Sequence, residues 1–283
     1  MTSIPVSPWG YIQGIGSPDY FLGINDFTVE FWYNSVTNSN IQTLFEISNN
    51  LSNANIADDQ MRFISTIENN SINVYGIETR WNSVYNANIP YVSPYTNSNK
   101  LRVFYNGNLL SRDEYTNMSG LITILDPVPG NAVIETGEVL FSLSSTPITA
   151  NTNYFVSVER KNGTAYLYVN GVEQSSTLAL ADIPNDGNAA ILTIGANHDG
   201  WNPLFGTFGD FRITNGLARH VTQSEAPGNI SSQFTDSMLG VRAEDIIIEG
   251  SYFTDSVSSY APEEQVPGEL YDTLDIQVYQ DNG

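Results

Sequence analysis

Few residues in this chain could carry covalent chemistry. Only two histidines occur, His198 and His220, and cysteine is absent. Thiolate nucleophiles, thiolate metal sites and disulfides are therefore excluded. A Ser-His-Asp relay would need one of the two histidines, and no serine sits in the glycine pattern of a nucleophile elbow. His198 lies in Ala196-Asn197-His198-Asp199-Gly200-Trp201-Asn202, between two stretches of strand character. Asn197, Asp199 and Asn202 offer oxygen atoms there, so the segment could take a sugar, or a calcium ion with Asp199 as its anionic ligand. Ordinary turn chemistry also uses such Asn, Asp and Gly clusters. Trp201 could stack on a sugar face or close the end of a core, and the core is favoured because large aromatics are usually well buried. His198, Asp199, Trp201 and Asn202 are thus the candidate ligand-binding residues.

Paired carboxylates are the other route to catalysis. Hydrolytic sandwiches place Glu-x-Asp-x-Glu on one strand, because period-two spacing sends all three carboxylates to one face. No such triplet occurs in this sequence. Glu244 and Asp245 are adjacent and point to opposite faces of a strand, and Asp272 and Asp275, three apart, also diverge. Carboxylates on different strands could still meet. Gly14, Gly16, Gly206 and Gly209 precede no helical pattern and form no phosphate loop. The expectation is a protein without enzymatic activity.

The scaffold for these residues is bounded by composition. The chain has 283 residues, 10 Lys+Arg against 31 Asp+Glu, and a net charge of −21. A length of this order buries enough surface to hold a core without a metal or disulfide. Nucleic acid is an unsuitable partner, because neutralising phosphates takes clustered bases and these are scattered. No window approaches the 18 apolar residues of a helical membrane span, so no membrane partner is expected. The segment Met1 to Tyr11 has neither a basic region nor an apolar run, so it reads as no export signal.

Periodicity points to an all-β chain. Phe27 to Tyr33 and Tyr154 to Arg160 are short, β-branched and aromatic, with partial alternation. Asn162-Gly163 and Asn170-Gly171 supply the positive φ that tight hairpins need. Ala190 to Gly195 and Gly206 to Ile213 add strands at sandwich-like spacing. Between Arg80 and Thr136 the pattern changes: Pro90, Pro94 and Pro127 bracket a segment with a hairpin signal at Asn106-Gly107. This reads as an inserted module, since long structureless loops are rare in compact domains. From Glu225 to Gly283 the chain carries 12 acidic residues and a single base, Arg242, about half the net charge. Its apolar runs are too many for a purely solvated tail.

Five landmarks, Asp26 to Trp32, Asn153 to Arg160, Leu167 to Gly171, Leu192 to Gly195 and Asp210 to Ile213, resemble in order and spacing the laminin-G-like, concanavalin A-like jelly rolls. That resemblance implies a two-sheet antiparallel jelly-roll sandwich, a carbohydrate- or protein-binding role, and in some members calcium. The expected organisation is a discontinuous jelly roll over 1–79 and 137–228, an inserted small β module over 80–136, and an extended acidic C-terminal arm over 229–283. The insert resembles small β modules of tailed-phage structural proteins. The arm, through Pro262-Glu263-Glu264-Gln265-Val266-Pro267-Gly268 and Tyr271-Asp272-Thr273-Leu274-Asp275, is similar to a segment of virion proteins of large, often marine, tailed phages. What this implies is a virion structural protein of capsid decoration, neck, tail or fibre, with other virion proteins as partners and a homo-oligomeric state. A carbohydrate-binding adhesion module for host surface glycans is the alternative. In the arm, Ile246, Ile247, Ile248, Leu274, Ile276 and Val278 are the expected assembly residues, adding a strand to a neighbour's sheet.

Overall fold

Short runs of β-branched and aromatic residues, closed by Asn-Gly turns, build strands throughout the computed structural model. It describes residues 4–6, 11–14, 20–48 except 39, 60–84, 88–128, 132–219 except 182 and 184–189, 253–255 and 277–280. In chain order the strands are β1 (Ile4–Val6), β2 (Ile12–Gly14), β3 (Phe27–Ser35), β4 (Gln42–Ser48), β5 (Gln60–Glu68), β6 (Ser71–Val84), β7 (Tyr91–Val92), β8 (Leu101–Tyr105), β9 (Asn108–Leu109) and β10 (Tyr115–Met118). There follow β11 (Leu121–Ile124), β12 (Ala132–Ser144), β13 (Tyr154–Lys161), β14 (Thr164–Val169), β15 (Val172–Leu178), β16 (Ile191–Ile194), β17 (Gly206–Asn215), β18 (Phe253–Asp255) and β19 (Gln277–Gln280). Each Asn-Gly turn is formed: Asn106 and Gly107 have φ of 48° and 85°, Asn162 and Gly163 50° and 77°, Asn170 and Gly171 51° and 76°. Both central residues lie in the left-handed region, which matches the twist of the flanking strands.

Two large sheets face each other. The first runs β1-β17-β3-β13-β14-β15, and the second β18-β2-β16-β4-β5-β6-β12-β8-β9. Aromatic side chains bind the layers: Phe31 of β3 lies 5.7 Å from Phe45 of β4, 5.3 Å from Phe208 and 5.7 Å from Phe211. Phe31 is fully buried, whereas Trp32 points to the other face of its strand and packs on Phe155 at 5.3 Å. This is the all-β antiparallel sandwich expected from the strand pattern.

The insert is less separate than its boundaries suggested. Residues 79/80 and 136/137 fall inside β6 and β12, which pair with each other from Asn73↔Ser144 to Val84↔Ala132. These two strands run out of the sandwich, and β8 and β9 extend the same sheet beyond them. A small sheet, β10-β11-β7, accompanies them, and Tyr91, Leu101, Val103, Tyr115 and Ile122 form a core of its own. On the opposite face of β8, Phe104 joins Leu109, Ile64 and Ile77 in a third cluster. Alternation along one strand thus feeds two cores.

Two pieces of the C-terminal segment are described. Phe253–Asp255 adds antiparallel to β2, and Gln277–Gln280 adds parallel to β17. Val278, expected on a neighbour's sheet edge, lies opposite Ile213 of its own chain. The physical reason is an open edge: β1 covers only Gly206 to Phe208 of β17, and β19 covers Arg212 to Asn215. Ile246, Ile247, Ile248, Leu274 and Ile276 lie outside the described residues.

Because Phe104 links insert and sandwich, Phe104→Ala is expected to lower the stability of the whole domain by about 3–5 kcal/mol, as for other buried aromatic truncations. Denaturant unfolding checks this, and a loss confined to the insert would show that the two parts are energetically separate.

Candidate functional site

The connection from β16 to β17 carries the four sequence-predicted residues and folds over the outer face of the second sheet. Asn197, fully buried, organises it. Its Oδ1 accepts hydrogen bonds from the amides of Asp199 at 3.1 Å and Trp201 at 2.9 Å, and its Nδ2 donates to the Gly107 carbonyl at 2.7 Å. Asn202, with φ of 51°, accepts from the Leu109 amide at 2.8 Å through its side chain, while the Thr43 amide donates to its carbonyl at 2.7 Å. Gln13 of β2 donates to the His198 carbonyl at 2.8 Å. The β8–β9 hairpin, β4 and β2 thereby fix one loop.

Below the loop lies a buried charge network. Arg62 of β5, with no exposed side chain, donates from Nε to Glu135 of β12 at 2.8 Å, contacts Glu46 of β4 at 3.2 Å and reaches Asp199 at 3.5 Å. Its guanidinium lies over the Phe104 ring at 4.1 Å. His198 faces Glu46 from Nδ1 at 3.0 Å and Asp199 from Nε2 at 3.1 Å. Burial and the Arg62 charge disfavour the imidazolium, but Glu46 and Asp199 outweigh both and raise its pKa to about 9. Glu46 and Asp199 are desolvated too, yet their cationic partners hold both below the usual carboxylate range. Three carboxylates thus surround two cations.

These contacts decide what the candidates can do. His198 is spent inside the network, and the Asn202 amide is spent on Leu109. Calcium does not fit: both Asp199 oxygens face cationic nitrogens, the Asn197 and Asn202 oxygens already accept N–H bonds, and no group of three or more His, Asp or Glu among the described residues is placed to hold an ion. Trp201 departs from the core reading. It is 46% exposed and belongs to none of the buried clusters. Its indole lies over the β8–β9 turn, where a Cβ on Gly107 would come within 2.5 Å of Cδ1. On the other side of the loop a Cβ on Gly200 would meet Tyr11 at 2.7 Å. Partly exposed Asp199 lies beside the same β8–β9 turn, its Cβ 2.9 Å from where a Cβ on Gly107 would stand. Glu46, Arg62 and Glu135 were not singled out from the sequence. Their signal was a lone charge in an apolar strand, as in Phe45-Glu46-Ile47 and Met61-Arg62-Phe63.

Residues 131–224 match the laminin G model described as the concanavalin A-like lectin/glucanases superfamily. That match covers about a third of the chain, and the two-sheet antiparallel architecture fits a concanavalin A-like sandwich. Among solved structures, the chain is similar to the carbohydrate-binding module of the Ruminococcus gnavus IT-sialidase bound to α2,3-sialyllactose, at 13% identity over 80% of this chain and 95% of that one, TM-score 0.43. It is also similar to mouse laminin α1 domains LG4-5, at 8% identity over 75% and 41%, TM-score 0.41. A third is a putative carbohydrate-binding protein from Bacteroides ovatus, at 14% identity over 82% and 46%, TM-score 0.40. No curated protein sequence matches the chain.

The network makes stability depend on pH with a definite sign. A histidine whose folded pKa of about 9 exceeds its unfolded value of about 6.5 stabilises fully below the latter, and that share is lost as pH rises through the former. Depressed Glu46 and Asp199 act oppositely, and their share is lost as pH falls below the carboxylate range. The stability gap between the wild type and His198→Gln should therefore shrink by on the order of 3 kcal/mol from about pH 6 to about pH 10. Denaturant midpoints across that range test it, and a constant gap would mean that His198 is neutral when folded.

Proposed function

We propose that this jelly roll is a non-enzymatic glycan-recognition module borne on a tailed-phage virion, with Trp201 as its stacking platform. The observation that carries the binding role is a half-exposed indole on a loop whose other side chains are locked. An amphipathic ring held rigid in advance offers a sugar's apolar face a surface with little ordering penalty. Asp199, anionic and partly exposed, supplies an acceptor for a sugar hydroxyl. The virion setting, in capsid decoration, neck, tail or fibre, rests on what the insert and residues 229–283 resemble.

The same electrostatics support a role without hydrolysis at this loop. Glycoside cleavage needs one carboxyl that stays protonated near neutrality beside an ionised one. Glu46 and Asp199 are both held ionised by their cationic partners. A second reading, docking to other virion proteins or to further copies of this chain, is favoured by β15. That strand ends the first sheet, and Val172, Leu178 and neighbouring Leu180 are 61%, 66% and 71% exposed. A polar edge strand with exposed apolar residues at its two ends suits strand addition by a partner.

Trp201→Ala should keep the fold and lower affinity for the glycans that the wild type binds on an array by about tenfold or more, the range of an aromatic hot spot. Neither protein should release new reducing ends. An unchanged binding profile would remove Trp201 from the site, and cleavage lost on replacing one carboxylate would make the protein an enzyme.

A further inference from the structure

A second site lies where the insert meets the sandwich. A cavity of about 340 Å³ opens there, walled by Tyr75 of β6, Val139 to Ser142 of β12, Thr177 of β15 and, from the insert, Asn99, Lys100, Arg102 and Arg112. Three of the chain's 10 Lys and Arg converge on it, in a protein of net charge −21. Such a surface repels anions in general, so a local cluster of bases is the one place where an acidic ligand would gain.

The bases are only partly neutralised. Arg102 pairs through one terminal nitrogen with Glu68 and lies over the Tyr75 ring at 4.5 Å. Its side chain is 5% exposed, and its Nε is buried without a hydrogen-bond partner. With a single carboxylate partner, Arg102 keeps donor capacity in hand and lends its charge to the cavity wall. Lys100, half-exposed, sits 3.8 Å from Glu138, too long for a hydrogen bond, so its ammonium donors are available. Arg112 uses its terminal nitrogens on the Ser98 and Asn99 carbonyls, each at 2.7 Å, which fixes its charge at the rim without cancelling it. Counting Glu68 and Glu138, the five groups sum to one positive charge.

We propose that this cavity binds a sugar bearing a carboxylate, with the acid group directed to the Lys100 ammonium and drawn in by the charges of Arg102 and Arg112 in the wall. A bare ion would leave most of the space empty, and 340 Å³ lies in the range of pockets that take small organic molecules. The Tyr75 ring, Val139 and the partly exposed Leu140 present apolar surface for the ring face of a saccharide. This site is separate from Trp201 in its residues and in the charge it selects.

Titration calorimetry on the full chain with glucuronic acid, glucose and inorganic sulfate tests the proposal. Glucuronate should bind, and glucose should bind at least about tenfold more weakly, since it lacks the charge-assisted contacts. Lys100→Gln and Arg112→Gln, both at the accessible wall and away from the Arg102–Glu68 pair, should each weaken glucuronate severalfold, and Trp201→Ala should leave it unchanged. Equal binding of glucose, no binding of glucuronate, or sulfate binding as tightly as glucuronate would overturn the assignment. So would loss of glucuronate in Trp201→Ala with both wall variants unaffected, an outcome that would favour the Trp201 site alone.

Discussion

Arg62 is the constraint on which the arrangement of the second sheet depends. It is a fully buried guanidinium whose partners come from β4, β12 and the loop after β16, and whose flat face rests on Phe104 of the insert. Guanidinium geometry suits this, because a planar fork can serve several carboxylates and stack at once. Taking these charges out of water is expensive, and their mutual attraction does little more than offset that penalty. Removing one partner is another matter, since the remainder would be buried and unpaired, at a loss of about 3–5 kcal/mol. The network therefore matters chiefly for specificity: it fixes which loop closes over this face, and in what position.

That position is what makes a binding surface out of turn chemistry. A loop of Asn, Asp and Gly would ordinarily be mobile, because its backbone groups bond to water. Here Asn197 and Asn202 replace water with the backbones of the loop itself and of the β8–β9 hairpin, and His198 ties the loop to Glu46. The insert is thus part of the site's foundation as well as a wall of the acidic-ligand cavity. Both surfaces sit where extra strands lengthen an ordinary sandwich, consistent with loops and additions carrying function on a rigid scaffold.

Much of the scaffold was legible in the sequence. The hairpins at Asn106-Gly107, Asn162-Gly163 and Asn170-Gly171 formed because glycine and asparagine accept positive φ, a local property. That Phe31 and Trp32 face opposite ways followed from period-two alternation, and the structure puts Phe31 inward. The network did not follow. Glu46 and Arg62 lie on consecutive strands, but Glu135 is 73 residues from Arg62, and only the sheet order β4-β5-β6-β12 brings it to them. Trp201 misled for a related reason: bulk favours burial on average, but whether a loop tryptophan closes a core depends on what already fills it, and the phenylalanines of the sandwich do so. The insert's edges were blurred because β6 and β12 stay paired across them, from Val84↔Ala132 to Ile77↔Val139.

The central claim is that the loop from Gly195 to Phe205 is rigid before any ligand arrives. Native-state hydrogen exchange at the Trp201 and Asp199 amides, both held by Asn197 Oδ1, addresses it most directly. The account predicts protection close to that of the β4 amides beneath, with opening coupled to unfolding of the second sheet. Exchange at rates near those of an unstructured peptide, while β4 stays protected, would contradict it.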